Sequence, residues 1–397
     1  MFEALQARPP DAIMAIMEMC KADSNPDKID LGVGVYKDEA GHTTILQSVK
    51  KAEQLWWKEE DTKTYVSTTG NIRFRELMLE LILGADNPAI KEGRIASSQA
   101  AGGSGALRLG AELLVSMGNE LTVWASTPTW ANHIPLISSA GLKIDSYPYY
   151  NRETLGVDFQ DMLAHLSHNA KAGDVVLLHG CCHNPTGADL SRAQWDELAD
   201  FLVDKGLIPF VDLAYFGLGE SMEADTYGTR KIIATCPETL LAASCSKNFA
   251  LYRERVGLIA AITKTSEAAK IAQSQFGAIQ RKIISMPPDH GAALVARILG
   301  DPTLKAEWTL ELEGMCKRMR DLRALLSKAL NVQGGEAMAR AIIAQNGMFS
   351  TLPLSQAQAE RLRAEHSVYI MNSGRMNIAG ANARNIPKLA EAILAVL

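Results

Sequence analysis

The amino-acid sequence predicts an α/β fold, a mostly parallel sheet covered by helices. Three observations lead there. Short apolar runs recur through the middle of the chain, stretches of helical spacing lie between them, and one such stretch carries both of its end signals. The 397 residues exceed what one core usually holds, roughly 250–300, so two compact lobes are expected.

Residues 121–125, 174–179, 207–212, 240–244 and 256–262 are apolar runs of strand length. The clearest helix follows Ser191. Ser191 and Gln194 form a capping-box pair, Trp195, Leu198, Phe201 and Leu202 keep helical spacing, and Gly206 sits where a helix-ending glycine belongs. From Asp301-Pro302 the pattern changes to one long periodic stretch through Trp308, Leu312, Met315, Met319, Leu322 and Leu326. It leads the chain out of the first lobe into a smaller second one, which ends in the helix after Asn385-Ile386-Pro387. The expected division is an N-terminal arm with part of the small lobe at 1–37, a large lobe at 38–305 and the small lobe at 306–397.

Composition narrows the function. Hydrophobic residues make up 47%, charged residues 21%, and the net charge of -5 comes without any lysine or arginine run that would mark a nucleic-acid surface. No stretch approaches the ~18–20 apolar residues of a membrane helix, and the N-terminus lacks the basic and apolar regions of a secretory signal. Six scattered cysteines read as reduced thiols in a cytoplasmic protein.

Lys247 stands in Ser244-Cys-Ser-Lys-Asn-Phe249, directly after a candidate strand. Burial lowers a lysine's pKa, and the neutral amine is the form that attacks an aldehyde. Alone, Lys247 reads more readily as a solvated loop residue. Its neighbours change that reading. Ser244 and Arg255 can meet one anion near the lysine, because the guanidinium fork matches phosphate oxygens. Ala101-Gly-Gly-Ser-Gly-Ala106 opens an apparent helix, so Gly103 and Ser104 offer a second anion cradle, although such a turn is more often a plain loop. Asp212 ends a strand, where open α/β sheets place their ligands; its plain alternative is a helix cap. Tyr215 follows closely, and Asn184 stands in His179-Gly-Cys-Cys-His-Asn-Pro-Thr-Gly187. The last motif raises a metal cluster, but adjacent cysteines at a strand end are expected to point apart, so no metal site is assigned. Gly32-Val-Gly34 lacks the third glycine of a dinucleotide fingerprint.

Taken together, these segments resemble the aspartate/aromatic aminotransferases, the class I branch of fold type I pyridoxal-phosphate enzymes. The resemblance runs from Asp30-Leu-Gly-Val-Gly-Val-Tyr36 to Ser373-Gly-Arg-Met-Asn-Ile-Ala-Gly380. It implies a large domain on a mostly parallel seven-stranded sheet, a smaller α/β domain, and a homodimer with shared active sites. Lys247 would carry pyridoxal 5'-phosphate as a Schiff base and serve as the proton-transfer base. Asp212 would pair with the pyridine nitrogen, backed by His133, while Tyr215 and Asn184 would hold the ring's phenolic oxygen. Gly103, Ser104, Ser244 and Arg255 would bind phosphate, joined by Tyr65 of the partner subunit, and Trp130 would stack on the ring. Arg375 would hold the substrate α-carboxylate, with Gly34 beside it, and Arg281 would reach across the dimer to a distal carboxylate.

The implied reaction is ping-pong exchange of an amino group with 2-oxoglutarate. Ser104, Thr62-Lys-Thr-Tyr65 and the Ser-Cys-Ser-Lys spelling resemble the aromatic-accepting members, so dual aromatic and dicarboxylic specificity is expected. Aspartate aminotransferase proper is the alternative. Phe216, Ala250, Met286 and Val66-Ser-Thr-Thr69 depart from the common family spelling. A non-catalytic pyridoxal-phosphate regulator is the rival of another class, but the first thirty residues hold no DNA-binding pattern.

Overall fold

The computed structural model of the chain describes residues 2–7, 11–118 and 120–397, so part of the expected arm lies outside the described residues. Its centre is a seven-stranded sheet. In chain order the strands are β1 (Ile95–Ala101), β2 (Thr122–Thr127), β3 (Lys143–Pro148), β4 (Val175–His179), β5 (Ile208–Leu213), β6 (Thr239–Ser244) and β7 (Val256–Ile262). Across the sheet they run β1-β7-β6-β5-β4-β2-β3. β7 is antiparallel to both neighbours, and every other pair is parallel. The five apolar runs are five of these strands.

β1 and β3 carry no such run. β3 lies at an edge and faces solvent at several positions. β1 is Ile-Ala-Ser-Ser-Gln-Ala-Ala, and its three polar side chains are buried. It too is an edge strand, yet its open side is covered. The Ser97 N–H donates to Gln273 Oε1 (2.8 Å), Gln273 Nε2 donates to Ser97 O (3.0 Å), and Gln280 Nε2 donates to Gln99 O (2.7 Å). Amides from the helix Ser266–Ile283 stand in for another strand and blunt the edge.

The helix Arg192–Lys205 begins with the reciprocal Ser191–Gln194 capping box and ends at Gly206 in the left-handed region. Helix Pro302–Val332 starts at Asp301, whose Oδ1 accepts from the N–H groups of Thr303 and Leu304. Trp308, Leu312, Met315 and Met319 of this helix pack in the core of the large sheet. Further along, Leu322, Leu326 and Leu330 enter a second core with Leu352, Ile370, Leu389 and Ile393. Ile29 and Leu31 join that second core from the other end of the chain. Two short ribbons complete it: Ile29–Asp30 beside Val368–Tyr369, and Phe349–Thr351 against Arg375–Asn377. Among the described residues no helix is long and apolar enough to cross a membrane.

Candidate active site

Strand register sets the site. His179 stands opposite Asp212, Gly257 opposite Ser244 and Val256 opposite Ala101. The C-terminal ends of β1, β4, β5 and β6 therefore meet the start of β7 along one edge, where open α/β sheets hold ligands. Above that edge opens a cleft of about 300 Å³. Lys247, Asp212, Tyr215, Asn184 and Trp130 line it, as do Gly103, Ser104, Ser244 and Arg255 on one side and Gly34 and Arg375 on the other.

The loop bearing Lys247 is fastened directly after the lysine. Asn248 Nδ2 donates to Phe216 O (3.4 Å), Trp308 Nε1 donates to Asn248 O (2.9 Å), and the Phe249 ring stacks on Trp308 at 4.4 Å. Lys247 Nζ lies 4.6 Å from the centre of the Tyr215 ring. Burial pulls its pKa from 10.5 to about 8; the Asp212 charge opposes this and the Arg255 charge adds to it. The amine is thus deprotonated far more readily than a surface lysine.

Ala250 closes this loop at φ 53, where a Cβ is strained by about 1–2 kcal/mol. A glycine there relieves that strain but gives back about 0.5–1 kcal/mol of chain entropy. Ala250→Gly should therefore unfold at equal or slightly higher denaturant, a gain of up to about 1.5 kcal/mol. A clear loss of stability in that titration would contradict the strain.

Asp212 sits at the end of a buried relay. Its Oδ2 accepts from His133 Nε2 (3.0 Å); His133 Nδ1 and Thr129 Oγ1 are 2.7 Å apart, and Thr129 Oγ1 and His179 Nε2 are 3.0 Å apart. One proton arrangement satisfies all three. The His179 Nε2–H donates to Thr129, the Thr129 hydroxyl donates to His133 Nδ1, and the His133 Nε2–H donates to the carboxylate. Burial pushes the Asp212 carboxyl up, but the hydrogen bond from His133 and the positive charge of Lys247 hold it below its usual range. Burial also pulls His179 down to about 3, so that ring is neutral. A fixed negative charge therefore faces the cleft.

Opposite it lies an anion cradle. The helix Gly102–Ser116 starts without a side-chain cap, leaving N–H groups at its N-terminus for a ligand. Arg255 folds over that start, its Nη2 donating to Ala101 O (3.4 Å) and its Nη1 to Tyr252 O (3.1 Å). Only glycine permits this: a Cβ at Gly102 would lie 2.4 Å from Arg255 Nη2. The Ser244 hydroxyl donates to Ser246 Oγ (3.1 Å), and the Arg255 guanidinium lies 3.5 Å from the same oxygen. An uncapped helix start, a guanidinium and adjacent hydroxyls fit a phosphate, and the carboxylate and amine suit a pyridine aldehyde carrying it.

Arg375 is buried, with Nη2 donating to Gly32 O (2.7 Å) and Nε lacking a partner among the described residues. An unpaired buried guanidinium N–H is costly, and a substrate carboxylate in the cleft would satisfy it. Its guanidinium stacks on Phe349 at 4.7 Å, and Phe349 meets the Tyr215 ring edge-on at 5.7 Å. Burial raises the Tyr215 pKa, so the phenol keeps its proton.

Two expected site residues are not brought to this cleft. Tyr65 is 92% exposed, and Arg281 lies near the exposed end of its helix with Nη1 donating to Ser285 Oγ (2.6 Å). His133 stands behind Asp212 rather than on the lining. Sequence reading missed Ser246, Tyr252, Phe349 and Ile13, which also line the cleft. Ser246 had a signal, being two residues from Ser244 in the same motif; the others had none. One premise is corrected. The ligand atoms of Cys181, Cys182 and Asp225 lie within 4.8 Å of one another, because Cys182 adopts φ 51 and the paired cysteines do not alternate. Burial pushes the Cys181 thiol up to about 12, and Cys182 is raised by its neighbour and by burial. Asp225 already accepts three backbone N–H groups, from Gly217, Gly219 and Glu220. Protonated thiols beside a saturated carboxylate are poor metal ligands.

The family described as aminotransferase class I and II matches residues 26–393. The chain belongs to that family. It is 44% identical to the aromatic-amino-acid aminotransferase of Paracoccus denitrificans, over 99% of this chain and 98% of the relative. The aspartate aminotransferase of Escherichia coli is also 44% identical, over the full length of both. The solved aromatic-amino-acid aminotransferase of Burkholderia pseudomallei, covalently bound to pyridoxal phosphate, superposes with a TM-score of 0.97 at 40% identity, covering 100% of this chain and 99% of that one. This aminotransferase thus shares its whole architecture with enzymes named for two substrate classes.

Proposed function

We propose that this aminotransferase moves the amino group of an aromatic amino acid or of aspartate to 2-oxoglutarate, by ping-pong kinetics with pyridoxal 5'-phosphate. Bound in the cleft, the cofactor supplies an aldehyde that condenses with amines and a ring that withdraws electrons. The chain does the rest. Lys247 holds the cofactor and moves a proton from the substrate Cα. Asp212 keeps a proton on the pyridine nitrogen, and His133 holds Asp212 charged. Tyr215 and Asn184 bond the ring oxygen, Trp130 covers the ring face, and Gly103, Ser104, Ser244 and Arg255 take the phosphate. Arg375 takes the α-carboxylate, with Gly34 against it. The supporting observation is the depressed amine of Lys247 held between a fixed carboxylate and an uncapped helix start.

On this reading the chain acts as a cytoplasmic homodimer. Tyr65 and Arg281, exposed on their own subunit, complete the partner's site, at the phosphate and at a distal carboxylate respectively. The arm at 1–37, the cofactor lobe at 38–305 and the small lobe at 306–397 are then its working units. Relatives named for aspartate and for aromatic amino acids match equally well, which favours dual specificity.

The test is a steady-state assay of 2-oxoglutarate against aspartate, tyrosine and phenylalanine, repeated with Arg281→Ala. Removing one partner of a charge pair costs about 2–5 kcal/mol, so kcat/KM for aspartate should fall about 30- to 3,000-fold. Phenylalanine should lose less than about tenfold, since its ring forms no such pair. Equal losses for both would contradict the role given to Arg281.

A further inference from the structure

The segments that carry Tyr65 and Arg281 lie far apart in the chain, yet one buried side chain joins them. Gln99, in the middle of β1, is fully enclosed. Its Oε1 accepts from the Asn71 N–H (2.9 Å), and its Nε2 donates to Pro288 O (2.7 Å). Its backbone is engaged as well: the Gln99 N–H donates to Thr69 O (2.9 Å), and Gln99 O accepts from Gln280 Nε2 (2.7 Å). Thr69 and Asn71 belong to the stretch that follows Tyr65. Gln280 adjoins Arg281, and Pro288 closes the turn after it.

The packing around this amide is close. A Cβ on Gly70 would lie 2.4 Å from Gln99 and 2.8 Å from Pro287 Cγ, and Gly70 has φ +81. Asn71 Nδ2 also donates to Asp289 Oδ1 (3.2 Å), a second tie between the same two stretches. A carboxamide is uncharged, accepts on one side and donates on the other, as both bonds here require. Ionised glutamate offers no donor, and leucine offers neither.

We infer that Gln99 is a positioning residue for substrate selection: it sets Arg281 and Tyr65 in one register on the subunit surface from which both serve the partner's site. The inference rests on the roles proposed above for those two residues. Gln99 touches no substrate. It acts on the distal carboxylate through the Pro288 turn, and on the phosphate through the Asn71 stretch.

The two variants of Gln99 separate these arms. Gln99→Glu keeps an acceptor for the Asn71 N–H and, assayed at alkaline pH where the buried acid ionises, sets a carboxylate oxygen against the Pro288 carbonyl. It should raise the KM for aspartate and 2-oxoglutarate by about ten- to a hundredfold, the scale of an ångström-sized misplacement, while cofactor affinity changes little. Gln99→Leu removes both bonds and should also weaken retention of pyridoxal phosphate severalfold on dialysis. In both, the KM for phenylalanine should move far less than that for aspartate. A purely structural role would lower the melting temperature without changing the aspartate-to-phenylalanine ratio, and that result overturns the inference. Gln280→Leu, which removes only the bond to Gln99 O, serves if Gln99→Leu fails to fold, and should shift the same ratio in the same direction. Arg281→Ala runs alongside. If it changes the ratio and Gln99→Glu does not, only the inference about Gln99 fails; if neither changes it, the role given to Arg281 fails with it.

Discussion

Replacing Lys247 with alanine should lower kcat by about 10⁴-fold or more, the upper end of what a positioned base contributes. The expectation comes from place and charge together. The amine lies 4.6 Å from the Tyr215 ring, with its pKa brought to about 8 by burial. Among the described residues lining the cleft Lys247 is the only amine; the other titratable groups there are a carboxylate, two phenols, a neutral imidazole and two guanidinium groups. The loss should not come from unfolding. Lys247 has a lower pKa folded than unfolded, so between about 8 and 10.5 the unfolded chain binds the extra proton and stability rises with pH. Below about 8 the penalty of burying the charge is fully present. Lys247→Met in the cofactor-free protein should therefore melt higher than the parent at pH 7, and that advantage should vanish as pH approaches 10.5. A variant that retained turnover, or that melted lower at pH 7, would contradict this.

Asp212→Ala should lower kcat by about 100- to 4,000-fold at saturating cofactor. Removing one member of a buried charge pair costs about 3–5 kcal/mol, and each 1.4 kcal/mol is tenfold. Here the uncompensated member would be the protonated pyridine nitrogen, which loses its proton instead and with it the electron-withdrawing power of the ring. His133 is expected to matter less. It stabilises the carboxylate through one 3.0 Å bond, and His133→Asn should cost roughly tenfold, in line with one lost charge-assisted hydrogen bond. Stopped-flow measurement of the half-reaction with glutamate separates these variants from ones that merely weaken cofactor binding. Comparable rates for Asp212→Ala and the parent would contradict the assignment.

The legible parts of the fold were those buried on both faces. β4, β5, β6 and β7 are nearly all apolar, so they stood out as runs. β1 was hidden because its polar Ser97, Ser98 and Gln99 are buried only by grace of partners on a distant helix and loop, which no local pattern announces. β3 was hidden for the opposite reason: Lys143, Asp145 and Ser146 face outward at the sheet's edge and read as a loop. The helix at Arg192–Lys205 was legible to its ends, because a capping box and a left-handed glycine are written within the chain segment they terminate.

The site divides the same way. Residues whose chemistry is carried by a motif, Lys247, Asp212, Asn184 and Arg255, fall together in the cleft. Those whose part comes from packing did not show. Phe349 looks like any core residue until the ribbon with Arg375–Asn377 lays it between Arg375 and Tyr215. Ile13 reaches the cleft from the helix Ala12–Ala22, far away in sequence. Cys181 and Cys182 misled because their alternation was assumed from strand geometry, whereas the chain has already turned left-handed at Cys182.

The claim beneath all of this is that one enclosed amine bonds covalently to the cofactor. Reducing the holoenzyme with borohydride and mapping its peptides by mass spectrometry tests it directly. The account predicts a phosphopyridoxyl group on Lys247 alone, close to one per chain; its appearance on another lysine, or nowhere, would contradict it.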